Sequence, residues 1–205
     1  MNPKISEYIK VLSIDTISEE RKAILDSFVN YIQSKVKADQ KIRLNFICTH
    51  NSRRSHLSQI WAQTMACHFN IRNVHCYSGG TEATAMFPKV TEILNNQGFQ
   101  IQKLSETANP VYAVKYAQNE SAVICFSKEY DNGFNPENEF AAIMTCSNAD
   151  EGCPSVLGAE ARFSIQYDDP KVSDNTEEQT QIYSDRSLQI ATEMFYVFSR
   201  ITANP

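Results

Sequence analysis

Apolar residues recur along the chain in two rhythms, which predict alternating helices and strands. The first helical pattern lies before residue 40 and consists of Ile24, Leu25, Phe28, Val29, Ile32 and Val36. Thr16 followed by Glu19 resembles a capping box at the start of this helix. We expect one apolar face of the helix to pack on a sheet or on a partner chain.

The later patterns predict, in order, a strand at 42–47, a helix at 55–69, a strand at 74–78, a helix at 89–97, three β-like runs between 110 and 145, and a helix at 177–201. Such alternation predicts an α/β fold, a doubly wound parallel sheet with helices on both faces. In folds of this kind ligands bind at the carboxyl ends of strands, which is where Cys48 lies.

Composition narrows the class of protein. The length of 205 residues, with 42% hydrophobic and 21% charged residues, favours one globular domain over residues 1–205. The net charge of −5 and the lack of a basic run argue against nucleic acid as a partner. No window is apolar enough to span a membrane, and the N-terminus lacks a signal-peptide pattern, so we expect a cytoplasmic protein. In that compartment the six cysteines favour catalytic, redox or buried roles over structural disulfides.

One loop carries the strongest chemical signal. Five residues separate Cys48 from Arg54, directly after a predicted strand and before a predicted helix. A loop of this length can wrap its backbone amides around a tetrahedral oxyanion at the helix N-terminus. Arg54 would hold two oxygens through its planar fork, and the same positive field favours the Cys48 thiolate. Ser55 could donate a hydrogen bond to the sulfur.

These residues resemble the active-site loop of the low-molecular-weight protein tyrosine phosphatase superfamily. The superfamily includes the thioredoxin-coupled arsenate reductases, whose loop reads Cys-x-Gly-Asn-x-Cys-Arg-Ser. Cys48, Asn51, Arg54 and Ser55 match that pattern. The resemblance implies that the oxyanion is bound by Thr49, His50, Asn51, Ser52, Arg53, Arg54 and Ser55. It also implies that residues 1–40 form an N-terminal helical extension and that about 108–140 is an insertion.

Three positions depart from the superfamily. His50 replaces the loop glycine, which adds bulk and, if its φ is positive, strain of about 1–2 kcal/mol. Arg53 replaces the second loop cysteine, and we expect it to add a positive group at the rim of the pocket. The arsenate reductases also use a Glu early in the first helix to help bind potassium. Gln59 occupies the matching position.

A second motif, IMTCSNADEGCP, places Cys146 and Cys153 after a predicted strand. Two cysteines on a loop can pair when their Cα atoms approach within about 4.4–6.8 Å. The motif resembles the redox loop of the arsenate reductases, Cys-Ser-x-Ala-Asp-x-x-Cys-Pro, which ordinary phosphatases of the superfamily lack. The alternative interpretation is a pair of buried, inert cysteines.

A third motif is Asp169-Pro170. In the superfamily an Asp before Pro lies over the oxyanion pocket as the general acid, and such acids typically contribute about 10²–10⁴-fold. Taken alone, Asp-Pro is a common turn. Its position after the other two motifs follows the superfamily order. Lys171 and Val172 come next, where phosphatases usually have aromatic residues.

The resemblance implies an arsenate reductase with a three-cysteine relay. Cys48 attacks arsenate and Asp169 assists the leaving water. Cys146 then attacks Cys48 and releases arsenite, which leaves a Cys48–Cys146 disulfide. Cys153 finally attacks Cys146, so that the disulfide passes to the pair Cys146–Cys153. Each exchange is a thiolate attack on a sulfur atom. No bound cofactor is implied, and thioredoxin or another thiol is the external reductant.

Two other functions stay open. A phosphatase acting on phosphate monoesters needs only Cys48, Arg54 and Asp169, because water hydrolyses the phosphocysteine. A binding protein could keep the oxyanion pocket without turnover. A metal site at Cys67-His68 or His75-Cys76 is disfavoured, because those spacings fit no zinc pattern.

Overall fold

The computed structural model describes residues 1–152 and 155–202. The helices are α1 (Pro3–Lys10), α2 (Glu19–Lys37), α3 (Arg54–His68), α4 (Pro88–Asn96), α5 (Ser147–Gly152) and α6 (Gln179–Ser199). The strands are β1 (Ile42–Cys48), β2 (Val74–Gly80), β3 (Gln100–Lys103), β4 (Tyr112–Lys115), β5 (Val123–Cys125), β6 (Phe140–Met144) and β7 (Ala159–Ser164). Within the described ranges, no helix combines the length and apolar character needed to cross a membrane.

The central sheet has four parallel strands in the order β2-β1-β6-β7. Helices flank it, so the predicted α/β class is confirmed. Cys48 lies opposite Gly80 at the carboxyl end of β1, and Met144 ends β6 beside them. Because all four strands run the same way, the segments that follow β1, β6 and β7 meet at one edge of the sheet. Those segments contain all three predicted motifs.

Side-chain alternation along β1 and β6 builds two separate apolar clusters. Phe46 and Ile143 belong to the large core, which is completed by side chains from α2, α3, α4 and α6. Ile47 and Met144 belong to a smaller cluster that includes Ala149 of α5. Helices α3 and α5 therefore contribute to the packing of different apolar clusters of the sheet.

The N-terminal region differs from its prediction in one detail. Helix α2 contains the predicted apolar pattern, and Phe28 is fully buried in the core. The capping box from Thr16 is wrong. Ser18 caps the helix instead, accepting a hydrogen bond from the Arg21 amide at 3.2 Å. Thr16 lies in a 3₁₀ turn two residues before this N-cap, and its hydroxyl donates to the Ser13 carbonyl at 2.7 Å.

The three β-like runs between residues 110 and 145 divide between two sheets. The first two runs form β4 and β5, which pair with β3 in a small antiparallel sheet. The third forms β6 of the central sheet. That residues 108–140 are an insertion relative to the superfamily, and residues 1–40 an extension, stays a prediction.

Candidate active site

In the loop between β1 and α3, the backbone carbonyl groups of Thr49, His50 and Ser52 accept hydrogen bonds from other parts of the chain. These bonds run from Glu82 N to Thr49 O (2.9 Å), from Ser127 Oγ to His50 O (2.9 Å) and from Phe87 N to Ser52 O (3.0 Å). Among the residues that the structure describes, none accepts a hydrogen bond from the amides of residues 49–53. These donors stand directly before the N-terminus of α3, where an anion is favoured by the helix dipole. The loop thus has the character of an oxyanion nest.

Asn51 fixes the conformation of this loop. Its φ is 43°, a left-handed conformation that Asn tolerates better than most residues. Its amide nitrogen donates to Ser55 Oγ at 2.8 Å, and its Oδ1 accepts from the Lys128 amide at 3.0 Å. Ser55 Oγ lies 3.1 Å from the Cys48 sulfur. Because Ser55 Oγ already accepts from Asn51, its own hydrogen is free to point at that sulfur.

His50 does not carry the backbone strain considered for it. The left-handed residue of the loop is Asn51, and His50 has a negative φ. Its imidazole Nδ1 lies 3.2 Å from Glu82 Oε2, and 41% of its side chain is exposed. The bulk that replaces the superfamily glycine therefore extends toward Glu82 at the surface.

Arg54 is bound to the segment that carries the predicted general acid. Its Nη2 lies 2.6 Å from Asp169 Oδ2, and its Nη1 donates to the Tyr167 carbonyl at 2.9 Å. The other oxygen of Asp169 accepts from the Lys171 amide at 3.0 Å. Residues from the first and third motifs, separated by 115 positions in the chain, thus meet in one ion pair.

Arg53 does not supply the positive group expected at the rim. Its side chain is buried, and its guanidinium binds the Asp174 carboxylate and the Tyr183 hydroxyl. It also lies 4.1 Å from the centre of the Phe87 ring. Burial opposes ionisation of Asp174, but hydrogen bonds from Tyr183 and Gln179 and the charge of Arg53 outweigh it and lower the pKa of that carboxyl. Arg53 therefore anchors the loop to the residues after Asp169.

Cys146 lies beside the oxyanion loop. Its sulfur is 3.5 Å from Thr49 Oγ1, and it accepts a hydrogen bond from the Ala149 amide at 3.4 Å. Cys146 and Cys48 are both buried in the smaller apolar cluster. Both are free thiols in the structure. The predicted partner Cys153 lies outside the described residues.

Helix α5, which follows Cys146, is tied to the segment after β7. Asp150 Oδ2 accepts from Ser164 Oγ at 2.7 Å and from Gln166 Nε2 at 2.8 Å. Gln166 directly precedes Tyr167, whose carbonyl binds Arg54. The segment after β7 therefore contacts both α5 and Arg54 at the end of the oxyanion loop.

Comparisons with known proteins bear on this arrangement. No protein-family model matches the chain. A YwlE mutant from Bacillus subtilis superposes with a TM-score of 0.53 and 13% identity, over 78% of this chain and 97% of that one. A low-molecular-weight phosphotyrosine phosphatase from Vibrio cholerae O395 gives a TM-score of 0.51 and 12% identity, over 77% and 94% of the two chains. The chain has the low-molecular-weight phosphatase fold.

A curated relative adds sequence similarity to this phosphatase fold. An arsenate reductase of Staphylococcus aureus (strain Newman) is 29% identical over 131 residues, which is 63% of this chain and 79% of the relative. The resemblance to the superfamily of low-molecular-weight phosphatases and arsenate reductases is confirmed. The arsenate reductase from Staphylococcus aureus and the phosphatase from Vibrio cholerae are both enzymes of that superfamily.

In this phosphatase fold a large cavity opens beside the oxyanion loop. Its volume is about 920 Å³, and Arg54, Cys146 and Asp169 line one end. Other parts of the wall come from Arg21, from residues between Val11 and Ser18, from the segments next to Cys146 and Asp169, and from the middle of α6. Cavities of about 300–1,000 Å³ hold drug-sized ligands, so this space exceeds what an inorganic oxyanion fills. No pattern in the sequence indicated that the N-terminal residues line this cavity.

The remaining cysteines and polar residues of α3 serve packing. Burial raises the pKa of the Cys76 thiol, and burial raises the pKa of Cys125 to about 12. Gln59, at the potassium position of the reductases, donates its amide to the Cys76 carbonyl at 3.0 Å. Trp61 is fully buried, and its indole donates to Ser187 Oγ at 2.9 Å. Over residues 1–152 and 155–202, no three potential metal ligands gather.

Proposed function

We propose that the chain is an arsenate reductase, which reduces arsenate to arsenite through Cys48, Cys146 and Cys153. The observation that carries the proposal is the second thiol at the oxyanion loop, where Cys146 Sγ lies 3.5 Å from Thr49 Oγ1. Hydrolysis of a phosphate ester has no use for a thiol at that position, whereas reduction of arsenic needs an electron donor there. The similarity to a curated arsenate reductase supports the same choice.

The first step requires an oxyanion in the nest. Arsenate accepts hydrogen bonds from the free loop amides and from Arg54, which exchanges its bond to Asp169 for one to the anion. The Cys48 thiolate, which Ser55 stabilises by donating its hydrogen, then attacks arsenic. A sulfur–arsenic bond forms, an arsenic–oxygen bond breaks, and Asp169 delivers the proton with which the oxygen leaves as water.

The second step moves two electrons onto arsenic. The Cys146 thiolate attacks the Cys48 sulfur, the sulfur–arsenic electron pair stays on arsenic, and arsenite leaves. A Cys48–Cys146 disulfide remains. Cys153 then attacks Cys146 and restores the Cys48 thiolate, leaving a Cys146–Cys153 disulfide. Thioredoxin, or another dithiol, supplies the two electrons and two protons that reduce this bond.

A phosphatase is the second candidate, and the cavity beside the loop favours it. A space of about 920 Å³ next to Arg54 and Asp169 leaves room for an organic leaving group. In that reaction Cys48 attacks phosphorus, Asp169 protonates the departing alcohol or phenol, and water hydrolyses the phosphocysteine. Cys146 and Cys153 take no part in it.

Steady-state NADPH oxidation with thioredoxin, thioredoxin reductase and arsenate tests the choice. We expect arsenate-dependent turnover in the wild type, none in Cys146→Ser, and full turnover in Cys67→Ser, a matched control because Cys67 lies far from the oxyanion loop on the last turn of α3. Hydrolysis of an aryl phosphate that survives Cys146→Ser, without arsenate reduction, would identify a phosphatase. Tight phosphate binding with no turnover of either kind would leave a binding protein.

A further inference from the structure

Arg21, on helix α2, reaches across the molecule to the segment that follows β7. Its guanidinium binds the carboxylate of Glu193 on α6 in a two-point contact, with Nε to Oε1 at 2.9 Å and Nη2 to Oε2 at 2.8 Å. The same Nη2 donates to the Gln166 carbonyl at 3.0 Å. The guanidinium also lies 5.1 Å from the centre of the Tyr167 ring. Glu193 is almost completely buried, so this pair has a fixed geometry.

The segment that Arg21 contacts also binds Arg54 and the residue before Cys146. The Tyr167 amide donates to the Thr145 carbonyl at 3.1 Å, next to Cys146. The Tyr167 carbonyl accepts from Arg54 at 2.9 Å. Two residues later, Asp169 meets the same guanidinium at 2.6 Å. A displacement of the segment 166–169 would therefore move Asp169 relative to Arg54.

Gln166 extends this connection to the second motif. Its carbonyl accepts from Arg21, while its side-chain amide donates to Asp150 on the helix after Cys146. One peptide segment is thus held from one side by α2 and from the other by α5. Arg21 is the only contact to this segment from the first 40 residues among the hydrogen bonds of the described chain.

We propose that Arg21 is a positioning residue, which sets Asp169 against Arg54 through the segment 166–169. The proposal rests on the proposed function in so far as Asp169 acts as the general acid. Arginine is required because its planar fork serves two acceptors in fixed directions, the Glu193 carboxylate and the Gln166 carbonyl. Lysine keeps the charge opposite Glu193 but cannot hold both acceptors in that geometry. Helix α2 thereby becomes part of the active-site framework.

The first test measures position without using activity. Hydrogen exchange at the Tyr167 amide is compared in wild type, in Arg21→Lys, and in the double variant Arg21→Met with Glu193→Leu, which leaves no unpaired buried charge. We expect exchange about tenfold faster or more in both variants, with the amides of β1 unchanged. Lys22→Ala, on the same helix, is the control and should behave as wild type, because Lys22 pairs with the exposed Glu19 of its own helix and not with the segment 166–169. Unchanged exchange at Tyr167 in both variants would overturn the proposal.

The second test asks whether Arg21 acts through Asp169. Arg21→Lys should lower kcat for arsenate reduction about tenfold and change KM less than about twofold. A tenfold loss is part of the roughly 10²–10⁴-fold that a general acid contributes. In an Asp169→Asn background the same substitution should change kcat less than about twofold, because the group it positions is gone. Equal, multiplicative losses in both backgrounds would overturn action through Asp169. A wild type without turnover would refute the proposed function, and hydrogen exchange would still decide the positioning.

Discussion

Arg54 Nη2 lies 2.6 Å from Asp169 Oδ2, so the side chain expected to bind the oxyanion is already bound to the side chain expected to donate a proton. The neighbouring Arg53 binds Asp174 from inside the protein. Two adjacent arginines thus hold two carboxylates of one segment. We expect an arriving oxyanion to compete with Asp169 for Arg54, which would couple substrate binding to release of the acid.

This competition predicts the effect of Asp169→Asn on anion affinity. A neutral amide competes less well for Arg54 than a carboxylate does, so we expect inorganic phosphate to bind about five- to tenfold more tightly while turnover falls at least about 10²-fold. Isothermal titration at pH 7 measures the affinity. Asp168→Asn is the matched control, because Asp168 is exposed and contacts Arg186 instead. Phosphate affinity unchanged or weakened in Asp169→Asn would contradict the competition.

Arg53 should matter for stability more than a surface arginine does. Arg53→Met leaves Asp174 and Tyr183 without their buried partner, and we expect the free energy of unfolding to fall by about 2–3 kcal/mol in urea. Lys10→Met removes an exposed pair with Glu7 and should cost less than about 0.5 kcal/mol. Equal losses in the two variants would show that Arg53 is not a structural anchor.

Burial of His56 should make the protein less stable in mild acid. Burial, with a further contribution from the charge of Lys128, lowers the pKa of His56 to about 3, whereas an unfolded His titrates near 6.5. Between these values the unfolded state binds the extra proton, so the free energy of unfolding falls as pH drops below 6.5, by about 2–3 kcal/mol at pH 4.5. Urea unfolding of His56→Gln at pH 7 and pH 4.5 should lack most of this difference. An undiminished difference would assign the loss to other groups.

The buried ammonium of Lys128 gives a pH dependence of the same sign, in the alkaline range. Burial lowers the pKa of its ammonium to about 8, so between about 8 and 10.4 the unfolded state holds more protons and this residue favours folding increasingly as pH rises. Lys128→Met keeps the backbone amide that binds Asn51. We expect it to stabilise the protein by about 1–3 kcal/mol at pH 7, with the gain shrinking toward pH 10. Comparing the two proteins at each pH cancels the buried thiols and tyrosines, and a gain that does not shrink would contradict the assignment.

Local sequence was sufficient for the parts of the site that depend on neighbouring residues. Cys48, Asn51, Arg54 and Ser55 lie where a strand passes into a helix, and their spacing together with that placement predicts an oxyanion loop. The superfamily order of the motifs placed Asp169 near this loop, whereas strand β7, which leads to Asp169 in the structure, was not predicted from the sequence.

Contacts between distant residues could not be read in the same way. Arg53 was expected at the rim, yet it pairs with Asp174, 121 residues away, because a buried carboxylate and hydroxyl outcompete water for its guanidinium. The helix cap at Ser18 rather than Thr16 depended on a preceding 3₁₀ turn that leaves no periodic signal. The same holds for Arg21, whose partner Glu193 is 172 residues away.

The most direct test of the central claim is a single turnover of Cys153→Ser with arsenate and no reductant. After alkylation, peptides are separated without reduction and identified by mass spectrometry. We predict a Cys48–Cys146 disulfide, one arsenite released per protein molecule, and no further turnover when thioredoxin is added. Sustained turnover of Cys153→Ser, or alkylated Cys48 and Cys146 with no arsenite formed, would contradict the relay.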